Sequence, residues 1–192
     1  MKDSIIPTRR ILLHVCCAPC SCAIINILLE EDFLPVLFFY NPNIFPRKEY
    51  ELRKASVLAY AAKLDLPFVD ADYDNELWEE RVKGLEQEPE RGKRCSACFD
   101  MRLERAALYA YENSFSILAT TNSIARLKNM NQVNASGVRA AARYPGMIFL
   151  DRNWRIGDAL KKASQITLKE NFYRQTYCGC RFSIPSLQKE KA

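Results

Sequence analysis

The fold turns on Ile11-Leu12-Leu13-His14-Val15-Cys16-Cys17-Ala18-Pro19-Cys20-Ser21-Cys22. Residues 11–15 are a continuous apolar run interrupted only by His14, which fits a strand buried on both faces. Two cysteines follow, and over residues 20–31 the apolar positions recur at helical spacing. The same alternation continues outward. Residues 34–40 form a second apolar strand closed by Asn41-Pro42-Asn43, and residues 47–64 a strongly amphipathic helix. Strand 66–71, helix 75–85, a charged loop over 86–94 with Pro89 and Gly92, helix 95–113 and strand 115–120 come next. A polar segment over 122–137 leads through a helical stretch to Tyr144-Pro145-Gly146, strand 147–150 and a last helix over 158–172. Apolar runs alternating with helices predict an α/β fold: a three-layer α/β/α arrangement around a mostly parallel five-stranded sheet.

A chain of 192 residues fits one such domain and buries enough apolar surface to fold without disulfide staples. With no repeat or linker, residues 1–192 read as a single catalytic domain, with flexible ends at 1–10 and 185–192. Arg9 and Arg10 ahead of an apolar run imitate a secretory signal, but His14, Cys16, Cys17 and Pro19 break it. No stretch approaches the roughly 20 apolar residues that span a bilayer. The expectation is a soluble cytoplasmic protein with no membrane partner.

The eight cysteines therefore need a chemical reason. They group as Cys16, Cys17, Cys20 and Cys22, then Cys95 and Cys98, then Cys178 and Cys180. In open parallel sheets, ligands collect outside the carboxyl ends of the strands. Those ends carry Cys16-Cys17, residues 41–43, 70–73, 120–123 and 151–154, so one site shared among them is expected. Cys95-Ser96-Ala97-Cys98 at a predicted helix start fits a thioredoxin-like pair, half of a zinc or iron–sulfur site, or two buried cysteines. With Cys16 and Cys17 it supplies four thiolates, enough for a 4Fe-4S cluster or a tetrahedral zinc. Adjacent cysteines favour the cluster, whose irons present separated corners. Cys20 reads equally as a spare ligand or a structural residue, Cys22 as helix packing, and His14 as a hydrogen-bonded core residue; none is placed in the first rank. Cys178-Gly179-Cys180 reads as a strained, easily reduced redox pair, with metal ligation as the other reading and Arg174 and Arg181 at hand to favour thiolate.

Charge is mildly basic, 28 Lys and Arg against 23 Asp and Glu. Arg47, Lys48, Arg53 and Lys54 share one predicted helix, Arg91, Lys93 and Arg94 precede Cys95, and Arg174 and Arg181 bracket the last pair. That permits a phosphate-rich partner.

Four motifs occur in order: Cys16-Cys17-Ala18-Pro19-Cys20-Ser21; Tyr40-Asn41-Pro42-Asn43-Ile44; Arg94-Cys95-x-x-Cys98 leading into Arg102-Leu103-Glu104; and Tyr173-Arg174-Gln175-x-Tyr177-Cys178-Gly179-Cys180. Together, over residues 11–183, they resemble the QueH family of cobalamin-independent epoxyqueuosine reductases. The resemblance implies a fold like that of the adenine-nucleotide alpha-hydrolase (PP-loop) type. It implies reductive removal of the epoxide oxygen of epoxyqueuosine at the tRNA wobble position, the last step of queuosine synthesis. It also implies Cys16, Cys17, Cys95 and Cys98 as ligands of a 4Fe-4S cluster, room for an additional metal ion beside it, Cys178 with Cys180 as a redox-active disulfide, and an external electron donor. Tyr40, Trp154 and Tyr177 are candidate pocket aromatics, each equally a core residue. Ile156-Gly157-Asp158 departs from the glycine-richer stretch expected there.

The alternatives are a zinc-stabilised RNA-binding protein, which leaves the Cys178–Cys180 pair idle, and a generic thiol-disulfide oxidoreductase. An ATP pyrophosphatase would share the fold, but the loop after the first strand has no glycine to let amides wrap phosphate.

Overall fold

The computed structural model describes residues 9–184. Five strands, β1 (Arg9–His14), β2 (Phe33–Phe39), β3 (Phe68–Asp70), β4 (Ile117–Thr120) and β5 (Ile148–Phe149), form one sheet in the order β3-β2-β1-β4-β5. Every neighbouring pair is parallel. The α/β class and the five-stranded sheet are as the sequence predicts, and the sheet is wholly rather than mostly parallel. Six helices connect and cover it: α1 (Ala18–Glu30), α2 (Arg47–Lys63), α3 (Asn75–Arg81), α4 (Lys93–Glu112), α5 (Met130–Ala141) and α6 (Ala159–Lys169). No helix among the described residues is long and apolar enough to cross a membrane. Of the ends expected to be flexible, residues 1–8 and 185–192 lie outside the described residues, while Arg9 and Arg10 open β1 and pair with Phe33 and Leu34 of β2.

β1 is central because both of its faces are needed. Ile11, Leu13 and Val15 pack into one core with Ile24, Ile25 and Leu28 of α1, Val57 and Tyr60 of α2, and Ala163 of α6. Leu12 points the other way, into a second core with Phe38 of β2, Leu103 and Ala107 of α4, and Ala140 of α5. This period-2 division of a continuous apolar run produces the three layers. The outer strands are shorter than expected. β3 holds three residues and β5 two; of the flanking apolar residues packed against the core, Leu66 donates back to the Ala61 carbonyl, while Leu150 still donates to the Leu118 carbonyl of β4.

Two local features set the site. Pro19 lies in the first turn of α1, where its missing N–H costs nothing, so the helix starts directly behind Cys17. α4 starts two residues before the expected position. Gly92 caps it, and a Cβ there would lie 2.5 Å from Glu88 Oε2 and 3.0 Å from the Pro89 carbonyl. The buried Arg94 guanidinium donates to the carbonyls of Leu85, Glu86 and Glu88, holding the preceding loop closed onto the helix.

Candidate functional site

The carboxyl edge of the sheet gathers the sulfur. Cys16 and Cys17 leave β1, and Cys20 sits in the first turn of α1. Their three Sγ atoms lie within 4.8 Å of one another, with Cys16 and Cys17 3.8 Å apart. Hydrogen bonds from the Cys17 and Cys20 thiols hold the Cys16 thiol well below its usual range, aided by the charges of Lys128 and Arg102. Burial pushes the Cys17 thiol up to about 12, and its bond to Cys16 adds to that. Cys20, equally a structural residue by sequence, thus stands inside the group. Cys22 points away: its Sγ lies 3.7 Å from the Ala163 carbonyl and burial pushes it up to about 11.

The chain returns to this edge after α6. Arg53 of α2 donates to the carbonyls of Tyr177 and Cys178, and the Phe45 amide donates to the Gly179 carbonyl. Gly179 has φ near +134, and a Cβ would meet Arg53 and Asn43 at 3.1 Å, so glycine is required between the two cysteines. The same tail brings Gln175, whose Nε2 lies 2.9 Å from Cys17 Sγ and 3.8 Å from Cys20 Sγ. Cys178 and Cys180 line a narrow pocket with Cys95, Lys128, Arg91 and Gln132. Cys98 packs behind it with Trp78, Val82 and Cys180. Cys95 and Cys98 therefore stand with the tail cysteines and are not part of the close Cys16–Cys17–Cys20 triad.

All eight cysteines are free thiols here. Burial raises Cys178, and it pushes Cys180 up to about 12. The expectation that Arg181 eases thiolate formation is not met, because its Nε pairs with Glu79 at 3.0 Å and its guanidinium covers the Phe45 ring. The cations that favour the Cys178 thiolate are Lys128 and Arg102.

Of those two cations, Lys128 was not singled out from the sequence, and Arg102 entered only as part of the Arg102-Leu103-Glu104 motif. Arg102 on α4 is 1% exposed and donates to Asn41 Oδ1 at 2.5 Å and Asn122 Oδ1 at 3.2 Å. Lys128 donates to the same Asn122 oxygen at 2.7 Å, and its Nζ lies 4.0 Å from Cys16 Sγ. Asn41 is fixed in turn by the Val15 carbonyl. Neither cation has a carboxylate partner among the described residues. Buried charge persists only when compensated, and the groups at hand to do so are thiolates. His14 stays out of this, bridging Thr120 Oγ1 at 2.8 Å and the Tyr40 carbonyl at 3.0 Å. Tyr40 and Trp154 are core residues, each 2% exposed. Tyr177 donates to the Phe45 carbonyl beneath the Arg53 guanidinium.

Residues 11–186 match the family model described as epoxyqueuosine reductase QueH. The chain belongs to the QueH family. Proteins bearing the same name include one from Acinetobacter baylyi, 50% identical over 175 residues that cover 91% of this chain and 80% of that relative. One from Histophilus somni is 46% identical over 181 residues, 94% of this chain and 74% of the relative. One from Thermotoga maritima is 33% identical over 185 residues, 95% and 94% respectively. A thiolate-bound metal or cluster, as expected from the QueH resemblance, is compatible with this edge. The donors are soft sulfur atoms, three already within one another's reach, and the buried Lys128 lies 4.0 Å from Cys16 Sγ.

Proposed function

We propose that this protein is an epoxyqueuosine reductase, an oxidoreductase that acts on epoxyqueuosine at the tRNA wobble position. The observation that carries the reading is QueH membership across nearly the whole chain, joined to a thiol-rich pocket at the carboxyl edge of the sheet. The reaction removes the epoxide oxygen: both carbon–oxygen bonds break, an alkene forms, and two electrons with two protons convert the oxygen to water.

In this reading Cys16, Cys17, Cys95 and Cys98 hold a 4Fe-4S cluster, with Cys20 as a further sulfur available to an additional metal ion. A cluster held there would supply one-electron transfer chemistry. Cys178 and Cys180 supply the electron pair: two thiols become one disulfide and release two protons, and an external donor of the reducing cytoplasm restores the dithiol. Gly179 permits the two sulfurs to approach, and Arg53 holds the carbonyls on either side of Cys178 so that the pair faces the pocket. Lys128 and Arg102 hold positive charge beside Cys16 and Cys178, which favours thiolate at both. Gln175 donates toward Cys17 and Cys20 and fixes how the tail meets the triad.

The test is anaerobic reconstitution with iron and sulfide, incubation with tRNA bearing epoxyqueuosine and a strong reductant, and mass analysis of the released nucleosides. Queuosine is the expected product; its absence with a loaded cluster refutes the activity. A colourless protein carrying one zinc and no labile sulfide refutes the cluster. Cys178→Ser and Cys180→Ser are expected to stop multiple turnover while iron content is retained. Unchanged turnover in either variant removes the dithiol from the mechanism.

A further inference from the structure

The basic residues near the thiols divide into two kinds. Arg53 and Arg94 are buried clamps on backbone carbonyls, and Lys54 and Arg181 are paired with Asp70 and Glu79. Arg91, Arg126 and Arg155 differ. They line one groove, together with Asn129 and Asn131 at the start of α5, and none has a carboxylate partner among the described residues. Arg155 donates to the carbonyls of Ser123, Ala125 and Lys128, and Arg91 to those of Leu127 and Arg126. These bonds orient two guanidinium groups without neutralising them. The three charges are close enough that Arg91 and Arg126, after burial, make the Arg155 cation harder to keep.

A second source of positive potential meets them. α5 is 12 residues long, its first turn carries no acidic residue, and its amino end opens on this groove. The helix dipole therefore adds to the arginine field. Three like charges gathered on a helix N-terminus repel one another, and an anion in the groove relieves that repulsion. Planar guanidinium forks match phosphate oxygens in particular. The groove also adjoins the thiol pocket, since Arg91, Lys128 and Asn129 line both.

We propose that Arg91, Arg126 and Arg155 form a phosphate-binding groove that grips the RNA backbone beside the nucleoside entering the thiol pocket. The inference rests on the RNA substrate of the proposed function. A single-stranded loop can turn a base into a pocket while its phosphates stay outside, so a cationic groove next to the pocket mouth is the arrangement such a substrate needs.

Arg126 is the residue to change. It is exposed and its side chain makes no hydrogen bond or ion pair within the described residues, so Arg126→Gln and Arg126→Glu leave the fold intact. Fluorescence anisotropy of a labelled anticodon stem-loop RNA, titrated with the reconstituted protein over a salt series, reads the effect. Arg126→Gln is expected to weaken binding about threefold to tenfold and to reduce the slope of log affinity against log salt by about one. Arg126→Glu weakens it further, with iron content unchanged in both. Lys63→Gln, at the far end of α2 where Lys63 pairs with Glu170, serves as the control and leaves affinity and slope as they were. If the wild type binds and both Arg126 variants match it in affinity and slope, the groove is overturned; an equal loss in Lys63→Gln overturns it too, as diffuse charge. A wild type with no affinity for the stem-loop defeats the RNA reading itself, a separate and distinguishable failure.

Discussion

His14 illustrates what one residue's environment dictates. It is fully buried at the end of β1, and because Nε2 faces a carbonyl it must donate there, leaving Nδ1 to accept from the Thr120 hydroxyl. Burial, with Arg102 nearby, lowers its pKa from 6.5 to about 3. The unfolded imidazole takes up a proton near pH 6.5, the folded one only near 3. Its contribution to stability is therefore complete above the unfolded value and drains as pH falls toward the folded one. Between pH 7 and pH 5 the loss is about 2 kcal/mol. Urea denaturation at the two pH values is expected to record this in the wild type and a smaller loss in His14→Gln. A core role for this histidine was readable from its place in an apolar run. The position of Cys20 beside Cys17 was also within reach, since a residue three positions on at a helix start shares its face, whereas Cys22 is turned away. That Arg102 and Lys128 are buried was not readable, because a basic residue in a helix or loop looks the same whether it ends in water or in the interior.

Elements were legible in proportion to their burial. β1 and β2, covered on both faces, appear as apolar runs, while β3 and β5 at the sheet edges shrink to the few residues that pair. α4 shows how a loop and a helix act as one unit: Gly92 makes the turn, Arg94 ties carbonyls 85, 86 and 88 to the helix, and Cys95 and Cys98 ride on its first two turns. Arg94→Ala is expected to cost about 2–4 kcal/mol, since three carbonyls lose a charged donor. Hydrogen exchange should quicken over residues 85–95 while the β1 and β2 amides stay protected; uniform exchange would contradict this local role.

At the scale of the molecule, the site depends on a tail that returns across the sheet edge. Arg53 is its anchor, holding Glu49 at 2.7 Å on its own helix and two tail carbonyls with its other nitrogens. Arg53→Lys keeps a cation beside Glu49 but loses the fork. Cys178 is expected to alkylate about tenfold faster in that variant, roughly the effect of 1.4 kcal/mol less protection against local opening. Peptide mass analysis after timed iodoacetamide exposure measures it, with Cys22 as the internal reference.

The α/β class, the parallel sheet and the order of strands and helices along the chain are legible in the amino-acid order, because burial on two faces, helical periodicity and turn residues are local patterns written in consecutive positions. Its four ordered motifs also pointed to the QueH family. Only the tertiary structure decided which cysteines stand together, that Arg102 and Lys128 meet over one asparagine oxygen, and that Arg91, Arg126 and Arg155 share a groove. The contacts between distant segments, such as Arg102 with Asn122, Lys128 with Cys16 and Arg91 beside Arg155, join residues 20 or more positions apart, and their distances follow from how helices pack on the sheet, which no local pattern encodes.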